Sequence, residues 1–81
     1  MHSPRTRMEL LRCRQALAEA EVSDDLRLLA DELLDRLMGM HDARRLNGPV
    51  FLLALDSLEL VPGLEAQVQA LRAAVHREVG A

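Results

Sequence analysis

With 81 residues, a net charge of −3 and Phe51 as its single aromatic residue, this chain is too short for two domains and too acidic overall to be drawn to nucleic-acid phosphates or an anionic membrane. Seventeen leucines and eleven alanines, set against six valines, one threonine and no isoleucine, argue for an aliphatic helical core and against a sheet. One cysteine, Cys13, leaves no intramolecular disulfide and fits a reducing, cytoplasmic setting; the longest apolar run, Val50 to Leu55, is far short of a bilayer span, and the Arg-bearing N-terminus lacks the apolar core of a secretory signal.

Ser3-Pro4 offers a helix cap followed by a proline in the first turn, and the apolar pattern from Met8 to Val22 predicts a first helix. Its apolar residues form two stripes, Leu10, Cys13, Leu17 and Ala20 on one and Met8, Leu11, Ala18 and Val22 on the other, which predicts neighbours on two sides. Arg5, Arg7, Arg12 and Arg14 face a single acid there, Glu9, and read either as a solvated face or as a short basic arm. Ser23 with Asp24 and Asp25 starts a second helix, because the hydroxyl satisfies a free amide and the carboxylates complement the positive end of the helix dipole. Leu26, Leu29, Ala30, Leu33, Leu37 and Met40 share one arc of it, with Asp31, Glu32 and Asp35 largely opposite.

The stretch from His41 to Gly48 reads as a connection, and Pro49 suits the first turn of a third helix running from Val50 to Val61. That helix is apolar nearly all round, with a polar wedge only at Asp56 and Glu59, so it must be covered on almost every side, by its own chain or by another. Leu52, Leu55 and Leu60 lie on or beside the polar side and have least reason to be apolar in a lone bundle; they are the predicted partner interface. Pro62-Gly63 stops the helix, and Leu64, Val68, Leu71, Val75 and Val79 form one stripe of a fourth, ended by Gly80. The expected fold is all-α, a small four-helix bundle or helical-hairpin assembly in a single domain spanning residues 1–81.

Residues that carry chemistry are sparse. His2, His41, His76 and Cys13 contain no pair at the spacing that puts two ligands on one helical face, and the nearest cluster, Met38, Met40 and His41, reads as core and helix end. The serines are Ser3, Ser23 and Ser57, each with a structural explanation, and there is no glycine-rich phosphate loop. Asp31, Glu32, Asp35 and Asp42 read as a solvated acidic face. The expectation is a protein that is no enzyme and uses no cofactor or metal.

Two strings in the third helix resemble known families. Leu55-Asp56-Ser57-Leu58-Glu59-Leu60-Val61 resembles the phosphopantetheine attachment motif of acyl carrier proteins, which implies a prosthetic arm on Ser57, although Pro62-Gly63 interrupts six residues on. Ser57 to Gly63 is also similar to the end of a tetratricopeptide helix pair: counting back from Pro62 puts Leu34, Leu37, Val50 and Ala54 on apolar positions of that pattern, and counting forward adds Val68 and Leu71, over residues 31–75. Met38 stands where that family has a glycine, and His41 and Ala54 where it has aromatics. A lone unit of that kind does not bury its own faces, so the resemblance implies pairing with another chain. In composition the chain also resembles small, acidic, leucine-rich bacterial secretion chaperones.

Together these point to a non-catalytic helical protein–protein interaction module, whether homodimer, adaptor or small chaperone, with protein as its partner and neither nucleic acid nor membrane. The alternatives are an acyl-carrier-like protein modified on Ser57 and a small regulator with a basic N-terminal arm.

Overall fold

Caps and turns at three points cut the chain into four helices. In the computed structural model, which describes residues 4–43, 45 and 47–80, they are α1 (Pro4–Glu19), α2 (Asp24–Asp42), α3 (Gly48–Glu59) and α4 (Glu65–Gly80). Ser23 Oγ accepts the Leu26 amide at 3.2 Å, with Asp24 and Asp25 in the first turn, and Asn47 Oδ1 accepts the Val50 amide at 3.2 Å, with Pro49 in the first turn. Gly63 takes φ +93°, a conformation open to glycine at little cost, and turns the chain so that the Leu64 carbonyl accepts the Val68 amide at 2.8 Å.

The boundaries differ from the apolar pattern for local reasons. α1 starts at Pro4, ahead of Met8, because a proline is already set for a first helical turn; the cap expected from Ser3 lies outside the described residues. It stops at Glu19, short of Val22, where Arg27 of α2 reaches back to donate to the carbonyls of Leu17 and, at 2.8 Å, Ala20. A cation on the last carbonyls of a helix terminates it and complements its dipole. α2 continues through His41 to Asp42, residues expected in the connection, because the His41 side chain is fully buried at its end.

The helices form a ring in which each packs against the next and α4 closes on α1. Consecutive helices are antiparallel: Arg7 pairs with Asp42 and Arg14 with Asp35 between α1 and α2, while Arg72 pairs with Asp56 and Gln69 bonds Glu59 between α3 and α4. The radius of gyration, 11.8 Å, equals the roughly 12 Å that scaling gives a folded chain of this length. The core is aliphatic around Phe51, with Leu10, Cys13 and Leu17 from α1, Leu34 and Leu37 from α2, Leu55 and Leu58 from α3, and Val68, Leu71 and Val75 from α4. Leu64, just before α4, is buried as its stripe predicts; the Val79 side chain lies outside the described residues.

Two stripes are placed differently from expectation. α1 does touch two neighbours, α2 and α4, but through the face of Leu10, Cys13 and Leu17; Met8, Leu11 and Ala18 of its second stripe are exposed. On α2 the buried line is Ala30, Leu34, Leu37 and His41, rotated from the expected arc, and Leu29 is 64% exposed.

Candidate functional site, the seam between α2 and α3

The rotation of α2 has a direction. At about 100° per residue, Leu26, Leu29, Leu33 and Met40 fall to one side of the buried line, the side that faces α3. On α3 the buried line is Phe51, Leu55 and Leu58, and Val50, Leu53, Ala54 and Ser57 fall on the side toward α2. Of the four neighbouring helix pairs, α2 and α3 touch least, so these two apolar sides meet only in part. A groove of about 160 Å³ runs between them, lined by Leu26, Leu29, Ala30, Leu33, Ser57, Leu58 and Val61.

Leu53 is 68% exposed beside the groove, Val50 is also exposed, and Leu60, in the cap position of α3, is 83% exposed. On α3, Arg72 of α4 holds Asp56 Oδ1 at 2.8 Å and Glu59 Oε1 at 3.1 Å, and the largely exposed Asp56 lies about 60° around the helix from Leu53. Asp25, Glu32 and Arg36 line the outer edge of α2, within about 60° of Leu29 around the helix. The result is an apolar strip with charged residues along both edges.

Of the three leucines expected at an interface, Leu55 is fully buried at the centre of the core, and Leu52 is partly buried against it on the side toward α4. Leu60 alone stands in solvent. Leu29 and Leu53, the exposed pair flanking the groove, were not singled out by the polar wedge at Asp56 and Glu59. The signal that finds them is rotational: Leu53 lies roughly opposite the Phe51, Leu55 and Leu58 line, a position that wheel geometry gives without coordinates.

The other sequence features are dispersed. Three of the four arginines of the basic arm are matched by acids: Arg7 with Asp42, Arg14 with Asp31 and Asp35, and Arg12 with Glu9. Hydrogen bonding to Asp42, and then its charge, raises the pKa of Arg7. His41 Nε2 sits 3.3 Å from Glu78 Oε1, tying the C-terminal ends of α2 and α4 at the pole of the bundle away from Ser23. His76 is exposed on α4. Cys13 is sealed in the core; burial, and secondarily the negative charge of Glu9, push its thiol up to about 12, so it is a packing group and a poor nucleophile. Ser57 is exposed at the lip of the groove, three residues from the end of α3 if its cap is counted. Asp31, Glu32 and Asp35 stay on the outside of α2, where Asp31 and Asp35 meet Arg14. Among the described residues no group of three or more His, Cys, Asp or Glu is placed to hold a metal ion, and no helix is long and apolar enough to cross a membrane.

Compared with models of protein families, with curated proteins and with solved structures, the chain matches none of them.

Proposed function

We propose that this chain is a non-catalytic helical interaction module whose α2–α3 seam docks another protein chain. The observation that carries the reading is the seam itself: two apolar helix sides that face one another, touch little and leave Leu29 and Leu53 more than half exposed. With a fully exposed leucine presenting roughly 180 Å², Leu29, Val50 and Leu53 leave about 310 Å² of apolar surface along the seam, the size of the largest patch on many monomers, which is often functional. At 25 cal/mol per Å² its burial is worth about 8 kcal/mol gross, of the same order as the cost of association. Such a face supports a specific, moderate-affinity contact.

Replacing Leu29 and Leu53 together by serine tests the reading. The doubly substituted chain should keep its helical circular dichroism and, at low concentration, its urea midpoint, while sedimentation velocity shows that association through the seam is lost. A substituted chain that unfolds would make the seam part of the fold's own support, and one that associates as before would place the docking face elsewhere.

A second reading draws on the position of Ser57, exposed beside an apolar groove, where the acyl-carrier resemblance implies a phosphopantetheine arm. Intact mass after coexpression with a phosphopantetheinyl transferase decides it: a gain of one phosphopantetheine on the wild type and none on Ser57→Ala supports carriage, and an unchanged mass removes it.

A further inference from the structure

We infer that the bundle is hinged: the α1–α2 pair and the α3–α4 pair part along the α2–α3 seam, widest at the Ser23 pole, with the α1–α4 contact as the hinge. The inference goes beyond the docking reading and does not depend on it, because it concerns motion within one chain. Two independent features carry it, the distribution of ties between helices and the poles at which the chain crosses from one pair to the other.

Within each pair the helices are tied by charge. Arg7 meets Asp42, Arg14 meets Asp31 and Asp35, and Arg27 donates to the carbonyls of Leu17 and Ala20, so α1 and α2 are joined along their length. Arg72 meets Asp56 and Glu59, and Gln69 meets Glu59, which joins α3 to α4. Between the pairs, α1 and α4 make the most extensive contact in the bundle, with Cys13 and Leu71, both fully buried, on the sides that face one another. The contact of α2 with α3 is the least extensive, a groove of about 160 Å³ interrupts it, and among the described residues no hydrogen bond or ion pair joins the two helices. In a ring of four contacts the separation of lowest cost is at the weakest one, and partial openings of folded proteins follow such lines.

The connections fix which end opens. The chain passes from α1 to α2 and from α3 to α4 at the Ser23 pole, so both connections there lie inside a pair. It crosses between the pairs at the opposite pole, from α2 to α3. That pole also carries a polar tie between the pairs, since His41 Nε2 stands 3.3 Å from Glu78 Oε1 and joins the end of α2 to the end of α4. At the Ser23 pole the close approach is on the hinge side instead, where a Cβ on Gly63 would meet Ala20 Cβ at 3.4 Å. The seam side of that pole holds the groove, with Leu26 and Val61 in its lining. One pole is thus pinned by chain and side chain, and the other is held only along α1 and α4. Separation takes the form of a wedge that uncovers Leu34 of α2 and Leu58 of α3, while Leu71 and Cys13 stay covered.

The experiment is thiol labelling of the native chain with a water-soluble aromatic disulfide, in a Cys13→Ala background that leaves one new thiol at a time. Leu34→Cys places it beneath the seam and Leu71→Cys beside the hinge; the two leucines are 2% and 0% exposed. Each rate is divided by that of the same variant unfolded in urea and compared with the unfolded fraction given by its own urea transition. Leu34→Cys should label at least about tenfold faster than its unfolded fraction allows, with little urea dependence, because a partial opening exposes little surface. Leu71→Cys, and Cys13 in the otherwise unaltered chain, should label no faster than global unfolding allows. Adding Glu78→Ala to Leu34→Cys should raise its excess by about threefold or more, because it releases the pinned pole. Circular dichroism checks each variant, and should Leu34→Cys lose its helices, Leu58→Cys reads the same opening from α3. A seam thiol protected to the global limit overturns the hinge. An equal excess at Leu71→Cys overturns it too, since the whole bundle would then be loose, and an excess unchanged by Glu78→Ala overturns the pinned pole.

Discussion

Leu53 and Leu55 are two residues apart on one helix, yet the structure assigns them opposite roles, and truncating each to alanine measures the orientation of α3. Leu55 has no solvent exposure and packs in the core formed with Phe51 and Leu58, so Leu55→Ala loses its transfer free energy and leaves a cavity, together about 3–5 kcal/mol. Leu53 is 68% exposed; only about a third of a leucine's 1.5–3 kcal/mol is at stake, and no cavity forms, so Leu53→Ala costs at most about 1 kcal/mol in the monomer. A domain of this size has a total stability of roughly 4–12 kcal/mol, so the first loss is severe and the second minor. Without Trp or Tyr the assay is urea unfolding followed by circular dichroism at 222 nm; at a slope of about 1 kcal/mol per molar, the midpoint should fall by about 3 M or more for Leu55→Ala and by less than about 1 M for Leu53→Ala. Repeating it at two protein concentrations adds a second readout. If copies pair through the seam, the cost of Leu53→Ala grows with concentration, whereas that of Leu55→Ala does not. Equal losses at low concentration would refute the placement of α3, since they would require the helix to be turned about its axis.

Four further outcomes follow from particular contacts. Ser23→Ala removes the acceptor for the Leu26 amide and should cost about 1 kcal/mol in the same urea assay, while Ser23→Asp should cost little. Gly63→Ala should lower stability by about 1 kcal/mol or more, because the strain comes from φ +93° and the added Cβ meets only Ala20 Cβ at 3.4 Å, an ordinary contact. With no lysine or tyrosine in the chain, Cys13 is the one side chain that titrates between the histidine and arginine ranges; its folded thiol, raised to about 12 from an ordinary 9.0, favours the native state fully below pH 9, and that contribution is lost as pH rises from 9 toward 12. Stability should therefore fall across that window by a few kcal/mol in the wild type and stay flatter in Cys13→Ala, with native Cys13 slow to react with a thiol reagent. Ser57→Leu places a leucine at the groove; circular dichroism melts should show a monomer that is no less stable, and light scattering should show altered association, because the space a partner side chain would enter is filled.

The sequence made the helices legible because their punctuation is chemical and local. Ser23, Pro49 and Pro62-Gly63 mark starts and stops through hydrogen bonds and fixed dihedrals that need no tertiary context, and the stripe of α4 predicts its buried face from Leu64 to Val75. Faces were harder where leucines surround a helix. On α2 the apolar arc from Leu26 to Met40 is real, but it is centred between the core and the seam, so half of it lies on a surface that periodicity alone cannot tell from an interior. On α3 the polar wedge of Asp56 and Glu59 drew attention to its flanks, Leu52, Leu55 and Leu60, whereas those carboxylates bind Arg72 and so mark the side covered by α4. The side at Leu53, opposite the Phe51, Leu55 and Leu58 line, is the open one. The end of α1 was illegible for another reason: it is set by Arg27, a residue of the next helix.

The charge order on α2 serves the folding of the helix itself. Asp24 and Asp25 stand in the first turn because carboxylates favour the positive end of a helix, and Arg36 lies in the second half, toward the negative end. On the rim beside Leu29, Glu32 lies one turn before Arg36, so the order is acid, acid, base from Asp25 to Arg36. On α1, Arg7, Arg12 and Arg14 are matched within the chain by Asp42, Glu9 and the Asp31–Asp35 pair. The exposed leucine on α1, Leu11, is thus flanked by charges already in use, as Leu53 is by Asp56, whereas Leu29 lies beside Asp25 and Arg36, which form no ion pair among the described residues.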